Sequence, residues 1–164
     1  MRAEMYEIIP CPRGRLAIMP RPRGGNWLKG ELASLKFCGV TDLASMLTPA
    51  EEIELNLQLE PQFCTELGLR FHRHSVPDHG LPAQPGFDAF VASLLPILAS
   101  GGFIAIHCLA GIGRSAVAVA ALLCCLGVSA QDAVALISKA RGFDVPETEE
   151  QLAFIMSLAK PQQP

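Results

Sequence analysis

Residues 103–116 read FIAIHCLAGIGRSA, an apolar segment that leads through a glycine-containing loop into small residues. The β-rich residues 103–106 predict a short buried strand, and the Ala/Val/Leu run over residues 116–126 has the length and composition of a helix. A strand, a tight loop and a helix N-terminus surround a small volume with backbone N–H groups and the positive end of a helix dipole. This segment therefore predicts an anion-binding site.

Cys108 and Arg114 determine the chemistry expected of this loop. Donors that bind an anion, together with the guanidinium group of Arg114, also stabilise a thiolate at Cys108. Arg114 presents a planar fork of N–H groups that matches two oxygens of a tetrahedral oxyanion. The combination indicates a thiolate that attacks a bound phosphate ester.

The glycines of the loop allow other interpretations. Gly111, Gly113 and Ala116 fit the dinucleotide fingerprint, but that site needs a second strand ending in an acidic residue about twenty residues on. The sequence instead has GVS at residues 127–129, followed by another helix start. A Walker loop is excluded because no Gly-Lys-Ser/Thr is present. A buried structural cysteine beside a glycine turn would not explain an arginine at the start of the next helix.

The loop resembles the HCxxGxxR(S/T) signature of cysteine-dependent tyrosine and dual-specificity phosphatases. The residues in register with that signature are His107, Cys108, Gly111, Arg114 and Ser115. The resemblance covers most of the chain, from about residue 15 to residue 158. It is closest to the small bacterial-type dual-specificity phosphatases and to the cyclin-dependent kinase-associated phosphatase group.

The resemblance implies a role for each residue of the signature. Cys108 attacks phosphorus as a thiolate, and Ser115 donates a hydrogen bond to that sulfur when it leaves. His107 supports the loop from behind rather than acting as a base. The phosphate is bound by the Arg114 side chain and by the backbone N–H groups of Leu109, Ala110, Gly111, Ile112, Gly113 and Arg114.

Asp78 is the expected general acid. It lies in the loop PDHGLP, residues 77–82, directly after a strand predicted over residues 69–76, and an acid there can reach the carboxyl edge of a parallel sheet. Taken alone, a solvated turn aspartate is the ordinary explanation. In the phosphatases that the signature resembles, the general acid lies about thirty residues before the nucleophile, and Asp78 stands at that distance from Cys108.

Two interpretations of Gln151 remain open. Thr148 and Gln151 match a capping box at the start of the last helix, which is a sufficient structural reason for both residues. The resemblance also implies that a glutamine at this place positions the hydrolytic water.

Strands and helices alternate along the chain. Strands are predicted over residues 15–19, 40–47, 69–76 and 103–106, and helices over residues 26–37, 61–67, 85–99 and 116–126 and after the capping residues Thr48, Ser129 and Thr148. This order predicts an α/β fold, a mostly parallel sheet of four to five strands with helices on both faces, as in the cysteine phosphatases. We expect a single domain over residues 1–164, with an irregular segment at residues 1–14 and a disordered tail at residues 161–164.

Composition limits the class of function. Half of the residues are hydrophobic and the formal net charge is −3, which argues against disorder and against general nucleic-acid binding. No apolar run is long enough to span a bilayer, and no cleavable signal sequence is recognised. The amino-terminal quarter is locally basic, and its arginines can border an anionic substrate or form a solvated edge; they are Arg13, Arg15, Arg21 and Arg23.

The cysteines and histidines indicate neither a metal site nor a disulfide framework. The six cysteines have no metal spacing, and His72 and His74 lack a third ligand. We therefore expect no metal and no cofactor, and a reducing cytoplasm as the setting. The expected partner is a phosphorylated protein or peptide substrate, with no nucleic acid and no membrane, and the chain is expected to be a monomer.

The loop also indicates the substrate. Leu109, Ala110 and Ile112 are apolar and the loop contains no lysine, so it lacks the extra cations that a polyphosphorylated inositol or an RNA triphosphate needs. We expect metal-independent hydrolysis of phosphotyrosine in proteins, with phosphoserine and phosphothreonine as further candidates, through a cysteinyl-phosphate intermediate. A rhodanese-like sulfurtransferase, which would not need Asp78, and a catalytically idle phosphoprotein-binding module remain as alternatives.

Overall fold

A computed structural model describes residues 2–158 of the chain. Within that range the chain forms one five-stranded sheet and seven α-helices. The strands are β1 (Tyr6–Glu7), β2 (Arg15–Met19), β3 (Asp42–Ser45), β4 (Arg70–Arg73) and β5 (Phe103–His107). The helices are α1 (Leu28–Phe37), α2 (Pro49–Glu54), α3 (Glu60–Leu67), α4 (Gly86–Ala99), α5 (Arg114–Cys125), α6 (Ala130–Arg141) and α7 (Glu149–Leu158).

The sheet has the strand order β1-β2-β5-β3-β4, with β5 at its centre. Strands β2, β5, β3 and β4 are parallel, and β1 pairs antiparallel with β2 at one edge. His107, the last residue of β5, pairs with Met19 on one side and with Ser45 on the other. The parallel strands therefore end at the same edge of the sheet, and the loops that follow them meet there.

Helices pack on both faces of the sheet because successive strand residues point to opposite sides. In β2, Leu16 and Ile18 enter one hydrophobic core, which also takes buried residues from α4, α5, α6 and α7. Ala17 and Met19 enter the other core, against α1 and α3. Every residue of α5 from Arg114 to Leu123 is buried, so the helix is fixed firmly beside the central strand.

The predicted α/β class and the mostly parallel sheet are confirmed. Strand β1 was not expected, because residues 1–14 were predicted to be irregular; two residues are too few for an alternating pattern to be recognised. The strands predicted over residues 40–47 and 69–76 are shorter, at four residues each. The tail predicted to be disordered, residues 161–164, lies outside the described residues.

The helix starts agree with the sequence at one predicted cap and differ at another. Thr48 and Glu51 form the predicted capping box at the start of α2. Helix α1 begins later than expected, because residues 25–27 form a short 3₁₀ turn before Leu28. Among residues 2–158, no helix combines the length and the apolarity that crossing a bilayer requires.

Candidate active site

The loop between β5 and α5 holds Cys108 at the carboxyl edge of the central strand. Cys108 is 3% exposed, and its Sγ lies 3.1 Å from the hydroxyl Oγ of Ser115 in the first turn of α5. Gly111 has a φ of +71°, and a Cβ there would lie 2.5 Å from the carbonyl carbon of Met19. The loop can therefore pass this close to the end of β2 only with glycine at position 111.

Arg114 begins α5, and its side chain is 1% exposed. Its Nη1 and Nη2 donate to the two carboxylate oxygens of Glu51 at 2.7 and 2.9 Å, and Nη1 also donates to the carbonyl oxygen of Val76 at 2.7 Å. Among residues 2–158 the Nε–H of Arg114 has no hydrogen-bond acceptor, and its second Nη2–H faces only the carboxylate of Asp78. These two N–H groups form the fork that matches a phosphate.

Asp78 lies beside this fork, in the loop after β4. Its Oδ1 is 3.2 Å from Nη2 of Arg114, and its side chain is 39% exposed. The Asp78 carboxylate also accepts the N–H of His79 at 3.0 Å. The loop is tied to the start of α7 through an ion-pair contact of 3.2 Å between His79 and Glu147.

A cleft of about 440 Å³ opens beside Asp78 at this edge of the sheet. Its lining residues come from α2 and from the loops after β3, β4 and β5; they are Thr48, Glu51, Glu54, Leu55, Pro77, Asp78 and Leu109. Carboxylates make up a large part of this lining, and no lysine or arginine of the described range is among it. Two of the amino-terminal arginines are already paired, Arg15 with Glu7 and Arg23 with Glu31.

Gln151 forms the predicted capping box at the start of α7. Its Oε1 accepts the N–H of Thr148 at 3.1 Å, and its own N–H donates to the Thr148 hydroxyl at 3.1 Å. A Cβ on Gly113 would lie 3.0 Å from the Gln151 amide, so this side chain packs directly against the loop. The buried Gln151 therefore both caps α7 and packs against the loop between β5 and α5.

Glu51, Glu60 and Glu147 also contact residues of the candidate site, and none of the three is predicted from the sequence. Glu51 was fully explained by the capping box, and its contact with Arg114 joins residues 63 positions apart. Glu60 stands at a helix start and is bonded to His107 from 47 positions away. Residue type and spacing carry no signal for such pairs, since the fold alone brings them together.

One group of side chains has the composition of a metal site. Asp78, His79 and Glu147 each bring one ligand atom to within 4.8 Å of the others, and all three are exposed. Their ion-pair contacts account for this grouping. His72 is bonded to Asp42 at 2.8 Å, so it is held by a carboxylate within the sheet.

Glu51 holds the Arg114 side chain in place, and loss of the Glu51 carboxylate is expected to destabilise the fold. Burial raises the pKa of Glu51, but the hydrogen bonds from Arg114 and Thr48 outweigh it and hold the pKa below its usual value of 4.5. Glu51→Gln is expected to lower the free energy of unfolding near neutral pH by about 3 kcal/mol, because the buried guanidinium loses its counter-charge.

The sign of the pH dependence follows from the lowered pKa of Glu51. Its stabilising contribution is complete above the pH at which the carboxyl ionises in the unfolded chain, about 4.5, and is lost as the pH falls. Urea unfolding should therefore separate wild type from Glu51→Gln near pH 7, and the difference should shrink below pH 4.5. Glu54→Gln, an exposed site on the same helix, is the matched control. Equal stability of wild type and Glu51→Gln at pH 7 would contradict the assignment.

A family model and two curated relatives match this chain. A family model described as "Polymorphic toxin system, DSP-PTPase phosphatase" matches residues 18–128. Cyclin-dependent kinase inhibitor 3 of Sus scrofa is 27% identical over 130 residues, which cover 78% of this chain and 61% of the relative. The same protein of Rattus norvegicus is 25% identical with the same coverage. The chain thus spans about three-fifths of the length of these curated relatives.

Solved structures share the fold. The kinase associated phosphatase superposes with a TM-score of 0.85 at 20% identity, covering 94% of this chain and 93% of that structure. PTPMT1 superposes with a TM-score of 0.75 at 23% identity, covering 95% and 94%. The family model covers well over half of the chain and includes the whole loop from Cys108 to Ser115. The chain therefore belongs to the DSP-PTPase phosphatase family described from polymorphic toxin systems.

Proposed function

We propose that the chain is a metal-independent phosphatase that hydrolyses phosphotyrosine in proteins through a cysteinyl-phosphate intermediate, with phosphoserine and phosphothreonine as further substrates. One observation carries this proposal. The buried sulfur of Cys108, the open fork of Arg114 and the carboxylate of Asp78 converge at one edge of the sheet. A nucleophile, an oxyanion site and an acid are the groups that the two steps of this chemistry need.

In the first step the Cys108 thiolate attacks phosphorus while the bond between phosphorus and the leaving oxygen breaks. The Nε–H and the second Nη2–H of Arg114, together with the backbone N–H groups of residues 109–114, bind the three non-bridging oxygens, whose charge changes during the transfer. Asp78, protonated, gives its proton to the leaving oxygen. Its contact with Nη2 of Arg114 is the weakest one at that guanidinium, so the phosphate can replace it.

In the second step water attacks the phosphorus and the bond between sulfur and phosphorus breaks. The Asp78 carboxylate takes the proton from the water, which restores the acid for the next turnover. The Ser115 hydroxyl, 3.1 Å from Sγ, donates a hydrogen bond to the sulfur as it leaves with its electron pair. Gln151, which packs against Gly113, is the residue that orients the attacking water in this proposal.

The charge of the cleft supports a phosphoprotein as substrate. Glu51, Glu54 and Asp78 line it, and Arg114, which contacts Glu51 and Asp78, supplies the positive charge for one phosphate. A ligand with several phosphates would bring further negative charge against these carboxylates. We propose a reducing cytoplasm as the compartment, because Cys108 must stay a thiol. We also propose that the chain acts as a single-domain monomer.

The experiment that tests this function is hydrolysis of para-nitrophenyl phosphate in EDTA with a reductant. Turnover under these conditions is expected. The absence of turnover in folded, reduced protein would contradict the proposal. Turnover of thiosulfate in its place would identify a sulfurtransferase, and tight phosphopeptide binding without turnover would identify a binding module.

Substrate choice gives a second expected result. Phosphotyrosine peptides should exceed a phosphoinositide in kcat/KM by more than about tenfold, which corresponds to about 1.4 kcal/mol in transition-state binding. The two substrates are compared by steady-state release of inorganic phosphate at matched ionic strength. A phosphoinositide that is turned over faster than the peptides would contradict the assignment of the cleft to phosphoproteins.

A further inference from the structure

A buried ion pair lies behind the phosphate loop. Glu60, the first residue of α3, and His107, the last residue of β5, are both 0% exposed. The Oε2 of Glu60 is 2.7 Å from Nε2 of His107, and the other ring nitrogen, Nδ1, is 3.2 Å from the carbonyl oxygen of Cys108. The pair therefore reaches the backbone of the nucleophile itself.

The contacts of His107 determine its charge. Both ring nitrogens face oxygen acceptors, and a neutral imidazole has only one N–H to donate. Both bonds form together when the ring carries two protons and is positive. Burial lowers the pKa of His107, but the charge of Glu60 and the hydrogen bonds to Glu60 and Cys108 outweigh it and raise the pKa.

Glu60 is bonded to His107 through only one of its two carboxylate oxygens. Its second oxygen, Oε1, is buried and has no hydrogen-bond partner among residues 2–158. A buried acceptor without a donor lowers the free energy of unfolding, and an apolar residue at the same place would avoid this loss. Neighbouring Cys64 reflects the same environment, since burial and then the charge of Glu60 raise its pKa to about 12.

The remaining charged groups around the pair do not replace Glu60. Glu52 contributes to the field at His107 but is bonded by both oxygens to Arg73, at 2.7 and 3.1 Å. Arg114 is paired with Glu51, and its hydrogen bonds go to Glu51 and Val76. Glu60 is thus the carboxylate in contact with His107.

We infer that Glu60 is a positioning residue that keeps His107 doubly protonated, so that the positive end of the Glu60–His107 pair and its Nδ1–H donor face the backbone of Cys108 and favour its thiolate. A catalytic role for Glu60 rests on the proposed function. The charge of the His107 ring and the reactivity of the Cys108 thiol can be measured without turnover.

The first test compares wild type with Glu60→Gln, which keeps the shape of the side chain and removes its charge. Alkylation of Cys108 by iodoacetamide is followed on the Cys108 peptide by mass spectrometry as a function of pH. Glu60→Gln is expected to slow alkylation about tenfold near pH 6 and to move the profile to higher pH. Glu66→Gln, an exposed site on the same helix, should leave the profile unchanged. An unchanged profile in Glu60→Gln would overturn the inference.

The second test needs only the wild-type protein and stands even when Glu60→Gln does not fold. Imidazole ¹⁵N chemical shifts are recorded for His107 as the pH is raised past the usual histidine pKa. Two protonated ring nitrogens are expected, whereas one protonated nitrogen would overturn the inference. Should para-nitrophenyl phosphate not be hydrolysed while both tests give the expected results, the proposed function fails and the assignment of Glu60 stands.

Discussion

Replacing Cys108 with serine is expected to abolish phosphate ester hydrolysis. A serine hydroxyl is not ionised near neutral pH and is a far weaker nucleophile than a thiolate in this loop, so kcat should fall by at least about 10⁴-fold. The change is nearly isosteric at a side chain that is 3% exposed, so we expect the fold and the position of Arg114 to be kept. The measurement is hydrolysis of para-nitrophenyl phosphate together with calorimetric binding of a phosphotyrosine peptide.

The calorimetric binding measurement distinguishes a loss of catalysis from a loss of the folded structure. Cys108→Ser should still bind the phosphopeptide while failing to turn it over. Cys125→Ser, the same change at an exposed position at the end of α5, is the matched control and should keep the wild-type rate. A Cys108→Ser protein that retains more than a few per cent of wild-type turnover would contradict covalent catalysis by this residue.

Replacing Asp78 with asparagine is expected to lower kcat by about 10²–10³-fold for a phosphotyrosine peptide. Asparagine keeps the size of the side chain and its place 3.2 Å from Arg114 but cannot donate a proton to the leaving oxygen. The loss should be smaller for para-nitrophenyl phosphate, whose leaving group needs less protonation. The decline of the rate at high pH, which reports loss of the acid proton, should also disappear.

The control for Asp78 is Asp88→Asn, which makes the same change at an exposed position at the start of α4. This variant should show the wild-type rate with both substrates. Equal losses with the two substrates in Asp78→Asn would contradict the role as general acid and would leave Asp78 as a residue that only supports Arg114.

The sequence predicted those strands, helices and caps that depend on residues close together in the chain. The strand, loop and helix around Cys108 follow from fourteen consecutive residues, residues 103–116, in which nucleophile, glycine and arginine stand at fixed spacing. The capping boxes at Thr48 and Thr148 depend on four residues each and were recognised for the same reason. The alternation of strands and helices was enough to predict a parallel sheet.

The sequence could not predict contacts that the fold creates between distant elements. Glu51 reaches Arg114 because α2 and α5 both begin at the carboxyl edge of the sheet, and a capping box already explained its presence. Glu60 meets His107 because α3 begins beside the end of the central strand. Strand β1 was missed because it is two residues long and owes its existence to pairing with β2.

The claim that Cys108 carries the phosphoryl group is tested most directly by trapping the intermediate. The protein is mixed with excess para-nitrophenyl phosphate, quenched in acid within the first turnover and digested, and the peptide that contains Cys108 is analysed by mass spectrometry. The account predicts one added phosphoryl group on the sulfur of Cys108, absent in Cys108→Ser. Steady turnover with an unmodified Cys108, or a phosphoryl group on another residue, would contradict it.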